Sequence, residues 1–271
     1  MIKAAALQMT STADINANMD ALKAMVSEAV NNGATLIATP ENTDLLALNA
    51  PEKIAILDSY GQQNPLVACA AELARTHKIW LLLDSVAAYA TAQKVCNRSY
   101  LFSPDGDIIC QYDKIHLFDV VLPSGEVRRE SDMVQGGRDV VHAQTAIAHM
   151  GLSICYDVRF AALYRKMAQA GAQILSIPAA FTVFTGQLHW EVLLRARAIE
   201  NGAFVIAPAQ CGHHGGDRHT YGHAMIIDPW GKILAQAGDT PTIIYADLDL
   251  DEVSKARAAI PALSASPLDK I

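Results

Sequence analysis

The chain has 271 residues, 51% of them hydrophobic, and carries a formal net charge of −7 with a pI near 5.7. That balance disfavours nucleic acid and anionic membranes as partners, yet leaves an acidic small molecule open, because a local cation can override the global sign. The five cysteines (Cys69, Cys96, Cys110, Cys155, Cys211) have no C-x-x-C spacing, Met1-Ile2-Lys3 opens onto a strand with no secretory leader, and no apolar run nears the ~18 residues of a membrane span. We therefore expect a cytoplasmic protein in a reducing setting, folded as a single α/β domain over residues 1–271, with residues 261–271 as an extended tail.

Residues 2–9 read as a strand. Asp14 is placed to cap a helix with Ile15, Met19, Leu22 and Val26 on one face and Gly33 as its stop. Residues 34–39 form the next strand, and this βαβ opening argues for a layered α/β architecture. Residues 65–78 read as a helix and 79–85 as a strand. A hairpin follows, turning at Ser103-Pro104-Asp105-Gly106. Residues 120–137 read as an irregular loop. The second half repeats the pattern: strand 147–155, a helix ending at Gly171, strand 172–178, a long helix 187–201 and strand 203–208. Residues 211–220 read as a second irregular loop, and Asp228-Pro229-Trp230-Gly231 turns a second hairpin. Two hairpins of similar wording suggest two pseudo-equivalent halves.

Three polar residues stand where core strands finish. Gly151-Leu152-Ser153-Ile154 ends on Cys155, followed by Tyr156-Asp157-Val158-Arg159 and a helical pattern. A nucleophile at a sharp strand-to-helix turn projects into a cleft, and the first N–H groups of the turn are free to face an anion. A lone cysteine is as readily a small buried hydrophobe. Thr39-Pro40 leads into Glu41-Asn42, and Tyr112-Asp113 into Lys114-Ile115-His116-Leu117-Phe118. Singly, Glu41 and Lys114 read as solvated loop charges. Together with Cys155 they read as a base, an amine and a thiol meeting at one sheet edge, where ligands gather in α/β folds.

The words Pro-Glu-Asn around Glu41, Tyr-Asp-Lys-Ile-His around Lys114 and Ile-Cys-Tyr-Asp-Val-Arg-Phe around Cys155 resemble the Glu-Lys-Cys triad of the nitrilase superfamily, in order and spacing as well. The likeness runs from Ala4-Ala5-Ala6-Leu7-Gln8-Met9 to Ile260-Pro261. Leu193-Leu194-Arg195-Ala196-Arg197-Ala198-Ile199-Glu200, Ala209-Gln210-Cys211-Gly212 and Tyr221-Gly222-His223-Ala224 resemble its Nit branch. This resemblance implies a four-layer αββα sandwich, no cofactor, no metal, and a homodimer. It implies an amidase acting on a small-molecule amide: Cys155 attacks, Glu41 moves the proton, and Lys114 with the Tyr156 N–H holds the oxyanion. Deaminated glutathione is the expected substrate, with 2-oxoglutaramate, cleaved by omega-amidases, as the alternative. A non-catalytic scaffold is the reading from a different class.

The same resemblance places a second glutamate at Glu130, fixing Lys114, with Glu126 as a competitor on that loop. Arg159 could clamp a substrate carboxylate or pair internally with Asp157. Phe181 and Thr185 resemble the family's substrate wall, and Phe181 could instead be core. His213, His214, His219 and His223 read as a polar loop at the cleft mouth rather than a metal site. Glu191 and Arg195 stand i,i+4 on a helix and read as a structural pair. The tail Ala262-Leu263-Ser264-Ala265-Ser266 lacks the arginines the family carries there, which removes the basis for a tail-mediated subunit contact.

Overall fold

The structure, a computed structural model, describes residues 1–121, 125 and 127–264. Its first half runs β1 (Ile2–Met9), α1 (Ile15–Asn31), β2 (Leu36–Ala38), α2 (Ala50–Ser59), α3 (Pro65–His77), β3 (Trp80–Tyr89), β4 (Val95–Phe102) and β5 (Ile108–Asp113). A short hairpin of β6 (Asp119–Val121) and β7 (Val127–Arg129) leads to β8 (His142–Gln144) and β9 (His149–Leu152). The second half continues with α4 (Ala161–Gln169), β10 (Ile174–Ser176), α5 (Val183–Asn201), β11 (Phe204–Ala207), β12 (Ala209–His213), β13 (His219–Tyr221), β14 (Met225–Ile227), β15 (Ile233–Gln236), β16 (Thr242–Leu248) and α6 (Asp251–Ala259).

The halves repeat each other strand by strand. In one sheet β1, β2 and β3 are parallel, β4 and β5 follow antiparallel, and β16 lies antiparallel on β1. In the other, β9, β10 and β11 are parallel, β14 and β15 follow antiparallel, and β8 lies antiparallel on β9. The hairpin β12–β13 breaks the symmetry by leaving the second half to join β1 in the first sheet.

Strand alternation makes the layers. Ala5, Leu7 and Met9 turn outward with Ile37 and Leu81 to meet Ile15, Leu22 and Val26 of α1 and Leu66, Ala70 and Ala74 of α3. Ala4, Ala6, Ala38 and Leu82 turn inward and share a core with Met150, Leu152 and Ile174 of the second sheet, which α4 and α5 cover through Leu163, Met167, Trp190 and Leu194. This is the αββα sandwich expected from the sequence.

Local signals act as read in several places. Asp14 caps α1, accepting from the N–H of Asn16 (2.9 Å) and Ala17 (3.1 Å), and Gly33 takes a φ of 83° just beyond its end. Other expectations are corrected. Residues 120–137 and 211–220 are not irregular throughout, since they hold the β6–β7 hairpin and most of β12–β13. α5 starts a turn earlier than expected, at Val183, and takes in Gly186, where a Cβ would drive into the ring of Tyr221. The helix α2, absent from the sequence reading, is set by a capping box between Asn49 and Glu52 with Pro51 in its first turn. Of the tail, the described part turns rather than extends: Ser264 N–H donates to Pro261 O, and Arg165 holds Leu263 O at 3.1 Å. Residues 265–271 lie outside the described residues, as does Glu126.

Candidate active site

The first sheet sends two side chains, and the second sheet one, into a common cleft. β9 stops at Leu152, and after Ser153 and Ile154 the backbone turns through Cys155, at a φ of 49°, into a tight helical turn over Cys155–Arg159. A left-handed φ is uncommon for a residue with a Cβ and is held here from both sides. Cys155 N–H donates to Pro178 O at 2.8 Å, and Asp157 reaches back to accept from Ile154 N–H at 2.9 Å. Asp157 is buried and does more: it accepts from Tyr112 Oη at 2.6 Å and from His116 N–H at 3.0 Å, with His116 Nδ1 at 2.6 Å. The strand that delivers Lys114 is thereby tied to the turn that delivers Cys155.

Glu41 follows β2 across Thr39 and Pro40. One of its carboxylate oxygens accepts from Ala180 N–H (2.8 Å) and the other from Lys114 Nζ (2.9 Å) and Asn97 Nδ2 (2.9 Å). Lys114 follows β5 directly and also donates to Glu130 at 2.9 Å. Glu130 opens the turn after β7 and accepts Phe118 N–H at 2.6 Å. Asn97 is aligned in turn by the Ser85 hydroxyl. The lysine thus sits between two carboxylates with only 2% of its side chain exposed.

These contacts decide the protonation states. Burial pushes Glu41 up, but the Lys114 charge and hydrogen bonds from Lys114, Cys155 and the Ala180 N–H outweigh it, so the acid lies below its ordinary 4.5. Burial opposes the Lys114 ammonium, and Glu130 and Glu41 more than restore it, leaving it well above its usual range. Burial, then the Glu41 charge, hold the Cys155 thiol well above 9.0, against the pull of Lys114. The resting set is a thiol, a carboxylate and an ammonium side by side.

The cleft has a volume of about 520 Å³. Of the residues singled out in the sequence, Glu41, Lys114, Glu130, Cys155, Tyr156, Phe181 and Thr185 line it. Thr185 belongs to the first turn of α5, its hydroxyl 2.7 Å from that of Thr182. Arg159 does not line the cleft. Its guanidinium lies 5.8 and 5.4 Å from the ring centres of Tyr156 and Phe181 and donates to His189 Nδ1 at 3.3 Å. Nor does it pair with Asp157, which Tyr112 and His116 occupy. The histidine loop reaches the cleft through Gly215, Gly216, Asp217 and Arg218, while His214 is buried away from it between Ser11 O and Thr220 Oγ1. Asn97, Lys53 and Arg218 were not found from the sequence, and Asp157 was read there only as a partner for Arg159.

Known proteins resemble this chain over nearly its whole length. A family model described as carbon-nitrogen hydrolase matches residues 3–258. A protein of Synechocystis named deaminated glutathione amidase is 42% identical over 269 residues, covering 96% of each chain, and one of the same name from Mus musculus is 39% identical over 95% of this chain and 80% of its own. Among solved structures, the NitFhit protein of C. elegans superposes with a TM-score of 0.93 at 37% identity, over all of this chain and 66% of that one. A mutant amidase from Nesterenkonia sp. AN1, carrying acrylamide added at its active-site cysteine, superposes with a TM-score of 0.80 at 25% identity, over 96% and 98% of the two chains.

Proposed function

The chain belongs to the carbon-nitrogen hydrolase family and is a thiol-dependent amidase, and from that premise we propose that it hydrolyses deaminated glutathione to 2-oxoglutarate and cysteinylglycine through a thioester on Cys155. The observation that carries the mechanism is the meeting of Cys155, Glu41 and Lys114 at the cleft wall. Glu41 takes the thiol proton as sulfur attacks the amide carbon. The oxyanion forms against Lys114 and the Tyr156 N–H, at the start of a helical turn where N–H groups lack intrahelical partners. The C–N bond breaks, Glu41 gives its proton to the departing amine, and the acyl group stays on sulfur. Glu41 then draws a proton from water, which releases the acid and restores the thiol. Glu130 keeps the ammonium aimed by sharing it with Glu41. The substrate rests on the relatives' names, and product release from deaminated glutathione, 2-oxoglutaramate, glutamine and a simple nitrile tests it, with Cys155→Ala as control. Fast turnover of deaminated glutathione that the mutant abolishes is expected. Preference for 2-oxoglutaramate would instead make the protein an omega-amidase.

The same reading includes a homodimer in a reducing, cytoplasmic setting. The cysteines among the described residues are free, and among those residues no helix is long and apolar enough to cross a membrane. α5 exposes an apolar stripe of Phe184, Leu188 and Val192, a surface suited to a second copy. Sedimentation of the wild type as a dimer and of Val192→Asp as a monomer is expected; a monomeric wild type would remove this part.

A further inference from the structure

Lys53 stands on the cleft wall in the first turns of α2, and its Nζ donates to Asn42 Oδ1 at 3.0 Å. Among the described residues no carboxylate lies within ion-pair distance of it. The acids that feel its charge are Asp44, Glu41 and Glu130, and the nearby cation is Arg218, which also lines the cleft. Each of those acids has other work. Asp44 accepts from Asn64 Nδ2 (2.6 Å) and Ala87 N–H (2.8 Å), while Glu41 and Glu130 share Lys114. Burial holds the Lys53 ammonium below its ordinary range. An ammonium drawn into a cleft and met only by a neutral amide is electrostatically incomplete, and such a group is completed by an anion.

We propose that Lys53, positioned by Asn42, anchors the carboxylate at the far end of the substrate's acyl group. This rests on the amidase reading and deepens it by naming what the acyl group must carry. The anchor is set by the same turn as the base: Asn42 follows Glu41, sits at a φ of 55°, and its carbonyl accepts from Gln210 Nε2 at 3.3 Å. The acyl side is favoured over the leaving amine for a physical reason. The amine departs after the first half of the reaction, whereas the acyl group must stay ordered until water attacks the thioester. A partly desolvated cation beside the triad is placed for the part that stays. Arg159, the cation that the sequence offers for this task, does not line the cleft and packs beside the rings of Tyr156 and Phe181.

The test compares 2-oxoglutaramate with 4-oxopentanamide, which has a methyl group in place of the carboxylate, in wild type, Lys53→Met and Lys53→Arg. For Lys53→Met, KM for 2-oxoglutaramate should rise about 10- to 100-fold, the worth of one hydrogen bond to a charged group, with 4-oxopentanamide changed less than about twofold. Lys53→Arg should keep most of the affinity. Equal losses on both amides, or no loss on either, would overturn the anchor. With deaminated glutathione assayed alongside, a loss confined to that substrate would also overturn it and move Lys53 to the leaving-group side. Calorimetry separates this from failure of the activity itself, with 2-oxoglutarate and 4-oxopentanoate as probes. If the wild type cleaves neither amide but prefers 2-oxoglutarate by about tenfold or more, and Lys53→Met erases that preference, the anchor stands and the amidase substrate falls. No preference overturns the anchor.

Discussion

After β2 the chain reads Thr39-Pro40-Glu41; after β10, its counterpart in the other sheet, it reads Ile177-Pro178-Ala179. After β5 stands Lys114, and after its counterpart β15 stands Ala237. After β1 the chain passes through Thr10-Ser11-Thr12 into a capped helix, and after β9 it turns through Cys155. The strands are duplicated and the chemistry is not. The first sheet supplies charge at two of its exits, the second supplies the thiol at one. The chemically plain exit still matters: Pro178 O holds the Cys155 backbone and Ala180 N–H holds the Glu41 carboxylate, so β10 gives backbone where β2 gives a side chain. A fold thus positions a site without specifying it, and function follows from what stands at a few loop positions.

If the work is divided in this way, removing either half's contribution should be ruinous. Glu41→Gln keeps the shape and the Asn97 neighbourhood but removes the base. We expect kcat/KM to fall by about 10³-fold or more, since base, proton donor and positioner are lost together. Near-UV circular dichroism should remain native. Lys114→Ala should be nearly inactive too, but it leaves Glu41 and Glu130 facing each other with no cation, so a loss of stability of about 3–5 kcal/mol should accompany it. Activity within tenfold of wild type in Glu41→Gln would break the comparison, because the first sheet would then be scaffold alone.

Glu41, Lys114 and Cys155 were legible because each sits in a short word at the end of a strand-like run, where local sequence and chain direction agree, whereas Glu130, after Val127-Arg128-Arg129, was legible only through the family resemblance. Asn97 and Asp84 were not, because a polar residue inside a strand looks the same whether it faces water or a buried partner. The β12–β13 hairpin was hidden for a related reason: β12 pairs with β1, at Gln8 and Met9, about two hundred residues away in sequence. Gly186 concealed the start of α5 by lowering its helix propensity, and its reason lies in the ring of Tyr221 on another element. Local chemistry writes the triad; pairing across the sandwich writes its support.

The smallest expected effect concerns the seam between the halves. Asp84 of β3 accepts from Ser176 Oγ of β10 at 2.5 Å, joining the inner faces of the two sheets. Burial raises this acid from 3.8 to about 7, against the hydrogen bond from Ser176 that favours its charged form. Its folded pKa therefore exceeds its unfolded one, and the folded state binds more protons across that window. Stability from this group is full below about pH 4 and is lost as pH rises through 7. From these values the wild type should lose roughly 3 kcal/mol from this group between pH 5 and pH 8. Asp84→Asn keeps a polar side chain at the seam and cannot ionise, so its stability should vary less over that range, with its largest gain over wild type at pH 8. Denaturant melts of both proteins at the two pH values measure the difference directly. Parallel losses in wild type and Asp84→Asn would mean that the seam carries a charged aspartate at no cost, and that the polar contact between the halves is not what burial makes of it.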